Sequence, residues 1–450
     1  MKFDIATQKL VCEYCANSED PYAHPDGTQA KEDDSFDVTV FTCPQCGGEI
    51  YSMSTEATQY CTYCGSQVML EGRLVNQNRP HRIIPFQKTK EDCKKIYQEV
   101  TKKALFAPRE LKDPEFIDKF RGIYLPYWVY DYAQNGTVRL KGTRERGNKT
   151  EYCDLSVDVD NTFSGITFDA SSSFDDTLAA QIAPFKAQNM MDFTPAYLCG
   201  FYADTADVPE EVYEMAAETL VNEEAMDRIR AKFGDIHVDS IPDKTGSFHT
   251  VKTGQTAALL PVWFLTWRSG DRVAYAVVNG ETGKMAADIP VDPKRYLTGS
   301  LLLALPIFLL LLFMPVMTGG TVLTASMVLG IFSAVMFSRS LYKMTRHEQR
   351  SDDLGYQATV GKNLDQNKKA AEAKKKVYGA GIRLELFLVA AAIAFGGWIM
   401  LTSPVSDAWY YAGSTVIMAM ICLLALKMIN RYNLLATRPI PDFHDRKGAE

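Results

Sequence analysis

The sequence predicts an α+β multidomain membrane protein, and three features predict it. Two Cys-x-x-Cys pairs stand fourteen residues apart near the amino terminus, at Cys43/Cys46 and Cys61/Cys64. A long middle region alternates helix-like stretches with strand-like stretches that are rich in aromatic and β-branched residues. Four charge-free apolar runs follow one another after residue 297. At 450 residues the chain is long enough for two or three units of this kind.

The two cysteine pairs predict one closed metal site. A zinc ribbon carries two Cys-x-x-Cys turns, called knuckles, whose four thiolates surround a tetrahedral Zn²⁺ at about 2.3 Å. CPQCGG and CTYCGS place Cys43, Cys46, Cys61 and Cys64 in that pattern, and a glycine follows each pair to relax the tight turn. Four protein thiolates leave no coordination position for an activated water. We therefore expect a complete ribbon over 41–67 that holds structural zinc and does not catalyse.

A third pair, Cys12 and Cys15, resembles the second half of the same module. No partner pair precedes it, so residues 1–20 form a half ribbon. Three alternatives stay open for its metal ligands. His24 or a nearby acid completes the coordination, the knuckle holds no metal, or the start codon has been assigned too late and an upstream pair is missing.

The cysteine usage favours a reducing compartment. Six of the ten cysteines form pairs that are close in sequence, whereas a secreted disulfide framework links distant cysteines through a short chain. Among the single cysteines, Cys93 on a predicted helix and Cys422 in an apolar run are expected to be packing residues. The opening MKFDIATQKL is polar, so we expect no cleaved secretory signal.

The middle region, 81–296, is expected to be a soluble cytoplasmic α+β domain with two helix-plus-antiparallel-sheet repeats, about 81–200 and 201–296. Gly122–Leu140 aligns with Ala258–Val277, because Leu-Pro, tryptophan and aromatic positions recur 135 residues later. Chance similarity between two aromatic strands is the alternative. A helix should precede each copy, and the second should run from Pro209 to Lys232. The first helix should present an apolar face formed by Cys93, Ile96, Tyr97, Val100 and Ala104.

The four apolar runs predict a four-helix transmembrane anchor over 297–428. Each run has 17 to 19 residues, close to the ~20 that cross a hydrocarbon layer of about 30 Å. A buried helical core is the alternative, although four charge-free runs are unusual in a soluble core. No ionisable residue interrupts a run, which argues against a pump or coupled transporter. The runs are 299–317, 321–338, 386–402 and 410–426.

Loop charges predict the orientation of this anchor. Eleven Lys or Arg residues lie in the basic loop over 339–385, and the tail over 429–450 adds more, whereas the two short connections carry none. The positive-inside rule therefore places the loop, both termini and the cysteine pairs on the cytoplasmic side of the inner (plasma) membrane. The basic residues of the loop either fix the topology alone or also contact anionic lipids of the inner leaflet or a partner helix.

Charge and motif content disfavour nucleic acid and catalysis. Residues 1–80 hold twelve Asp or Glu against five Lys or Arg, and no basic residue lies between Cys43 and Cys64, so this region should repel a polyanion. A protein partner fits this charge better. The chain contains no P-loop, G-x-S-x-G or H-E-x-x-H pattern, and its six histidines are dispersed. We therefore expect a protein that is not an enzyme.

The motifs together resemble a bacterial family of TFIIB-type zinc-ribbon-containing membrane proteins. The resemblance rests on KFDIATQKLVCEYC, CPQCGGEI…CTYCGS, FRGIYLPYWVYDY and LLPVWFLTWRSG, which lie within about 1–284. Some relatives are named primosomal or phage replication proteins, but this chain lacks helicase motifs. Others resemble the zinc-ribbon membrane partner of a flotillin-like SPFH protein, which implies recruitment of that protein to the membrane in envelope stress. The missing pair upstream of Cys12 departs from the family pattern.

Two functional hypotheses follow from these features. The first is a non-enzymatic, membrane-anchored zinc-ribbon scaffold that recruits a cytoplasmic protein partner to the inner membrane. The alternative is a membrane-tethered nucleic-acid-binding zinc-ribbon factor linked to replication or transcription. A channel or lipid-handling protein, and assembly as a homo-oligomer, are also left open.

Overall fold

The computed structural model describes residues 1–23, 35–53, 60–67, 71–147, 149–234, 236–238, 249–311, 313, 318–348, 353–360 and 384–444. The strands of this part form two sheets. The small sheet has the order β1-β2-β3, with strands Lys2–Asp4, Lys9–Val11 and Ser18–Glu19. The large sheet contains β4 to β16, which are Ser35–Thr42, Glu49–Ser52, Glu71–Asn78, Arg82–Ile83, Arg121–Arg146, Lys149–Asp169, Met191–Asp192, Tyr202–Asp204, His237–Val238, His249–Ser269, Arg272–Asn279, Met285–Ala287 and Arg438–Pro439.

Nine α-helices lie in the described part of the chain. Helices α1 to α4 are Lys90–Lys103, Pro114–Ile117, Asp176–Ile182 and Glu214–Lys232. Helices α5 to α9 are Pro293–Leu311, Gly319–Glu348, Leu354–Val360, Leu384–Thr402 and Asp407–Leu435. Short 3-10 helices span Arg109–Lys112, Ala187–Asn189, Pro195–Leu198 and Glu210–Tyr213.

The long strands β8 and β13 pair antiparallel in the large sheet. These are the two strands whose sequences resemble each other, and Leu125 lies directly opposite Leu260. Each strand continues through a turn into a further antiparallel strand, β8 into β9 and β13 into β14. Two repeats related by a local twofold axis through this leucine pair would produce the same register. The two-repeat interpretation stays a prediction.

Helix α1 begins at a capping box, because the Thr89 and Asp92 side chains each accept from the other's backbone N–H. Its buried face contains Cys93 and Tyr97, as predicted, with Thr101 beside them. The prediction was wrong at Val100, which is exposed. The Thr101 hydroxyl donates to Tyr97 O at 2.9 Å, so this polar side chain is buried with its hydrogen bond satisfied.

The predicted helix over 209–232 forms as a 3-10 turn followed by α4. Side chains four residues apart make one buried stripe on α4, which covers the aromatic residues of β8 and β9. The stripe consists of Ala217, Val221, Ala225 and Ile229.

Three helices in the described residues are long and apolar enough to cross a membrane, namely Gly319–Arg339, α8 and α9. They pack against each other, and the Ser326 and Ser414 hydroxyls form a buried hydrogen bond of 2.7 Å between α6 and α9. Helix α5 covers the predicted first run as far as residue 311, while 312 and 314–317 lie outside the described residues. The four-span anchor therefore stays a prediction.

The two single cysteines that were predicted to be packing residues differ in their burial. Cys93 is fully buried in the core between α1 and the large sheet, so its predicted packing role is confirmed. Cys422 was predicted to pack but is exposed on α9.

Three segments cross the predicted domain boundaries. Strands β4, β5 and β6 of the ribbon region continue the large sheet, in which β5 pairs with β11. After α9, residues 438 and 439 return to the same sheet as β16, beside β14. Helix α7 of the basic loop packs beside α3 of the middle region, where Leu354 N–H donates to Asp176 Oδ2 at 2.6 Å. Residues 349–352 and 361–383 of that loop lie outside the described residues.

Candidate metal centre

The structure brings the four predicted cysteines together in one buried cluster. Cys43 and Cys46 lie on the turn between β4 and β5, and Cys61 and Cys64 on the turn that precedes β6. All four Sγ atoms lie within 4.8 Å of one another, with Cys43–Cys64 at 3.8 Å and Cys46–Cys61 at 3.6 Å. Thiolates at about 2.3 Å from a tetrahedral ion lie roughly 3.8 Å apart. The cluster could therefore hold a metal ion, and its geometry agrees with zinc.

The two knuckles have the same backbone hydrogen bonds. Cys43 N–H donates to Gly48 O at 2.9 Å, and Gly47 N–H donates back to Cys43 O at 2.8 Å. Cys61 and Gly65 occupy the corresponding positions in the second knuckle, both with N–H···O distances of 2.9 Å. Gly47 and Gly65 have φ angles of 70° and 67°, which glycine adopts without steric cost. The turn chemistry predicted from CPQCGG and CTYCGS is thus present in both copies.

The buried sulfur atoms favour a bound cation. Hydrogen bonds, above all with Cys46, lower the pKa of the Cys43 thiol. Hydrogen bonds with the other three thiols of the cluster, above all with Cys43, raise the pKa of the Cys61 thiol well above its ordinary value. Four thiolates cannot ionise together in so small a volume without a counter-charge. A divalent metal ion would supply that charge, and its binding would release the thiol protons.

A segment from the end of the chain seals the first knuckle. We call residues 437–444, directly after α9, the C-terminal strap. Phe443 is 3% exposed, and its N–H donates to Cys46 O at 2.7 Å. Its ring meets the Tyr63 ring edge-on at 5.6 Å, within one core that contains all four cysteines. A Cβ on Gly47 would lie 2.7 Å from His444 N, so the strap lies directly on the knuckle.

Charged contacts fix the other end of the strap. Arg438 on β16 forms ion pairs with Asp175 at 3.1 Å and with Asp288, and its guanidinium lies over the Tyr275 ring. The Tyr275 hydroxyl also donates to Tyr63 O at 2.5 Å. The sequence did not predict the strap. The tail over 429–450 was used only to predict the orientation of the membrane anchor.

Cys12 and Cys15 adopt the knuckle turn as well. Cys12 N–H donates to Asn17 O, and Ala16 N–H donates to Cys12 O, both at 2.9 Å. Ala16 occupies the position of Gly47 and has a φ of 55°. Cys12 is half-buried and Cys15 exposed, and no third cysteine, histidine or acid among the described residues completes a metal-binding group. His24, one predicted ligand, lies outside the described residues.

A groove of about 710 Å³ lies beside the second knuckle. Aromatic and charged side chains line it, and two of them are fixed by neighbours. The Trp267 Nε1–H donates to Glu110 at 3.0 Å, and the Lys119 ammonium lies 5.1 Å from the centre of the Tyr60 ring. The groove contains both signs of charge, contributed by Glu110, Asp113, Glu115, Asp118, Lys119, Arg121 and Arg268.

Comparisons with known proteins find one curated relative. The chain is 26% identical over 260 residues to the "Uncharacterized protein YdjG" of Bacillus subtilis (strain 168). The match covers 56% of this chain and 76% of YdjG. No family model and no solved structure matches the chain. The resemblance to TFIIB-type zinc-ribbon-containing proteins therefore stays an expectation.

Proposed function

We propose that this chain is a non-enzymatic, membrane-anchored zinc-ribbon scaffold that recruits a cytoplasmic protein partner to the inner membrane. In this proposal Cys43, Cys46, Cys61 and Cys64 hold one structural Zn²⁺. The ion stabilises the two knuckles and takes no part in a reaction, because four buried thiolates leave it no open coordination position.

The observation that carries the proposal is the direct connection between the four-cysteine centre and the last membrane helix. Helix α9 ends at Leu435, and the strap that follows inserts Phe443 beside Cys46. A partner that binds near the knuckles is thereby held at a fixed position relative to the membrane helices. Positioning of this kind is the physical requirement for a scaffold.

The groove beside the second knuckle is the partner surface in this proposal. Tyr60, Trp267 and Arg268 line it, and these residue types are enriched in the energetically dominant parts of protein interfaces. The four acidic residues that line it disfavour a polyanion, which supports protein over nucleic acid. The family resemblance suggests a flotillin-like SPFH protein as the partner.

The topology in the proposal has four membrane spans with both termini in the cytoplasm. Charged residues gather where α8 begins and α9 ends, the end from which the strap reaches the large sheet. Lys427 and Arg431 both pair with Glu385, and Arg431 Nη1–H donates to Phe337 O at 2.8 Å. The opposite ends of these helices are joined by a short connection without basic residues. This asymmetry supports a cytoplasmic sheet domain.

A pull-down from membranes tests the proposal. The full-length tagged chain is compared with Cys43→Ser, which removes a metal ligand, and Trp267→Ala, which changes the groove but leaves the ligands intact. Cys153→Ser, a half-buried cysteine on β9 outside the cluster, is the matched control. We expect both test variants to lose a protein that wild type and the control retain, and mass spectrometry would identify it. Unchanged partner lists would remove the scaffold role.

A second arm separates the scaffold from a nucleic-acid factor. Filter binding of the full chain in detergent to duplex DNA and to RNA should show negligible affinity at moderate salt. Tight binding that weakens steeply with added salt would instead favour the nucleic-acid factor. The mass of the detergent-solubilised chain, measured in the same preparation, would show whether it forms a homo-oligomer.

A further inference from the structure

A second cavity, of about 660 Å³, lies between the large sheet and helices α3 and α4, beside Leu354 of α7. Its walls come from β8, β9, α3 and α4, and Leu354 of α7 contributes a side chain. Its volume falls in the range of small-molecule sites, about 300–1,000 Å³. Most of the lining is apolar, from Ile166, Phe168, Ala179, Phe185, Leu220 and Leu354.

Two buried polar atoms of residues that line this cavity receive no hydrogen bond from an N–H or O–H donor of fixed position among the described residues. They are Asp169 Oδ2 and the Tyr127 hydroxyl oxygen, on side chains that belong to residues only 2% exposed. Both residues line the cavity. A buried polar group without a partner destabilises the folded chain, so a pair of them in one apolar cavity indicates a ligand that supplies the missing contacts.

The charge of the cavity is one-sided. Asp169 and Asp176 both line it, and no lysine, arginine or histidine does so among the described residues. Asp176 has partners, since its carboxylate accepts from the Tyr213 hydroxyl at 2.9 Å and from Leu354 N–H. Burial, then the Asp176 charge and a side-chain hydrogen bond shared with Asp176, raises the pKa of Asp169 well above its usual range. The protonated form of Asp169 is thereby favoured, and an approaching cation would favour loss of that proton.

We propose that this cavity binds a small organic ammonium ion with an apolar body, whose N–H groups donate to Asp169 and to the Tyr127 hydroxyl. The apolar walls contact the body of the ligand, and the carboxylate neutralises its charge. A phosphate-bearing headgroup is disfavoured, because its negative charge would face Asp169 and Asp176. A bare metal ion is disfavoured as well, since these carboxylates do not converge into a metal-binding group in the described part of the chain.

The proposal links the cavity to the membrane helices. Leu354 belongs to the segment that joins α6 to α8, and its backbone holds Asp176. Gly355 beside it packs so closely that an added Cβ would lie 2.5 Å from the Tyr213 hydroxyl. An occupied cavity would therefore strengthen the packing of α7 against α3 and Tyr213.

The test uses the full chain in detergent and three probes of one shape. They are 4-(trifluoromethyl)benzylamine, the corresponding benzyl alcohol and the corresponding benzoate, followed by fluorine NMR and calorimetry. We expect the amine to bind and the alcohol and benzoate to bind at least roughly tenfold more weakly, the loss expected for a charge-assisted hydrogen bond. Equal binding of amine and alcohol would overturn the proposal.

Two variants and a control complete the test. Asp169→Asn should weaken amine binding roughly tenfold or more, and Tyr127→Phe, which keeps the ring against Phe185 at 5.5 Å, should weaken it several-fold. Asp158→Asn, an exposed position on the same strand, should bind like wild type. Unchanged amine binding in Tyr127→Phe and Asp169→Asn would refute the site. If Asp169→Asn does not fold, Tyr127→Phe decides alone.

Proton release gives an independent readout. At neutral pH the amine arrives charged, so pairing with Asp169 should release about one proton from that carboxyl group. Calorimetry in two buffers of different ionisation enthalpy measures this number. A value near zero together with equal binding of the amine and the alcohol would overturn the proposal.

Discussion

Replacing Phe443 with alanine should undock the C-terminal strap from the four-cysteine centre. The ring is 3% exposed and packs edge-on against Tyr63. Removing a buried phenyl ring costs about 3–5 kcal/mol in protein cores. The strap lies at the surface and can rearrange, so we expect the lower figure, about 3 kcal/mol. At about 1.4 kcal/mol for each factor of ten, the undocked population should rise roughly 100-fold.

Amide hydrogen exchange and metal release measure this change. The Phe443 N–H is protected by its bond to Cys46 O, so its exchange rate should rise by the same roughly 100-fold. Arg438 should keep β16 paired, which confines the effect to the Phe443 end of the strap. Because the strap covers Gly47, zinc should also pass faster to a coloured chelator.

Phe387→Ala is the matched control for this experiment. Phe387 is 69% exposed on α8, so the same substitution removes a ring that packs against little. If Phe443→Ala changes exchange and zinc release no more than Phe387→Ala does, the strap does not protect the metal centre.

Three further predictions follow. Arg438→Met should lower the free energy of unfolding by about 3–5 kcal/mol, because it removes the cation that pairs with Asp175 and Asp288 in a largely buried setting. Arg146→Met at an exposed position should change it little, as thermal unfolding would show. Ala16→Gly should stabilise the small sheet by about 1 kcal/mol, since alanine is strained at a φ of 55°, and slower amide exchange in β1 to β3 would show it. Mass spectrometry of metals should find one zinc per chain, lost in Cys61→Ser but retained when both half-ribbon cysteines become serine.

The four-cysteine centre could be predicted because its geometry is encoded locally. Each knuckle closes within six residues, through hydrogen bonds that the Cys-x-x-Cys-Gly spacing permits. The pairing of the two knuckles then follows from their need for one tetrahedral ion. The strap could not be predicted in this way. Phe443 and Cys46 are distant in sequence, and the stretch around RPIPDFHD has neither the periodicity of a helix nor the alternation of a strand.

The helix predictions show a related limit. Hydrophobic periodicity located α1 and α4 and gave Cys93 and Tyr97 correctly. The periodicity placed Val100 rather than Thr101 on the buried face of α1. Threonine is classed as polar from its sequence alone, although the Thr101 hydroxyl is satisfied by a local hydrogen bond in the folded helix. The resemblance between β8 and β13 was visible in sequence as two Leu-Pro motifs. The direct pairing of Leu125 with Leu260 required the sheet register.

The strap gives a physical reason for the presence of thiolate knuckles and long apolar helices in one chain. A ribbon of about 27 residues is too small to bury a sufficient core by itself. Its core is completed by Phe443, from beyond helix α9, and is held from the side by the Tyr275 hydroxyl on Tyr63 O. Phe443 is synthesised after all the apolar runs, so the metal centre reaches its full core only once α9 has been made. The integrity of the centre is thereby coupled to the completion of the apolar helices, as the proposed scaffold function would require.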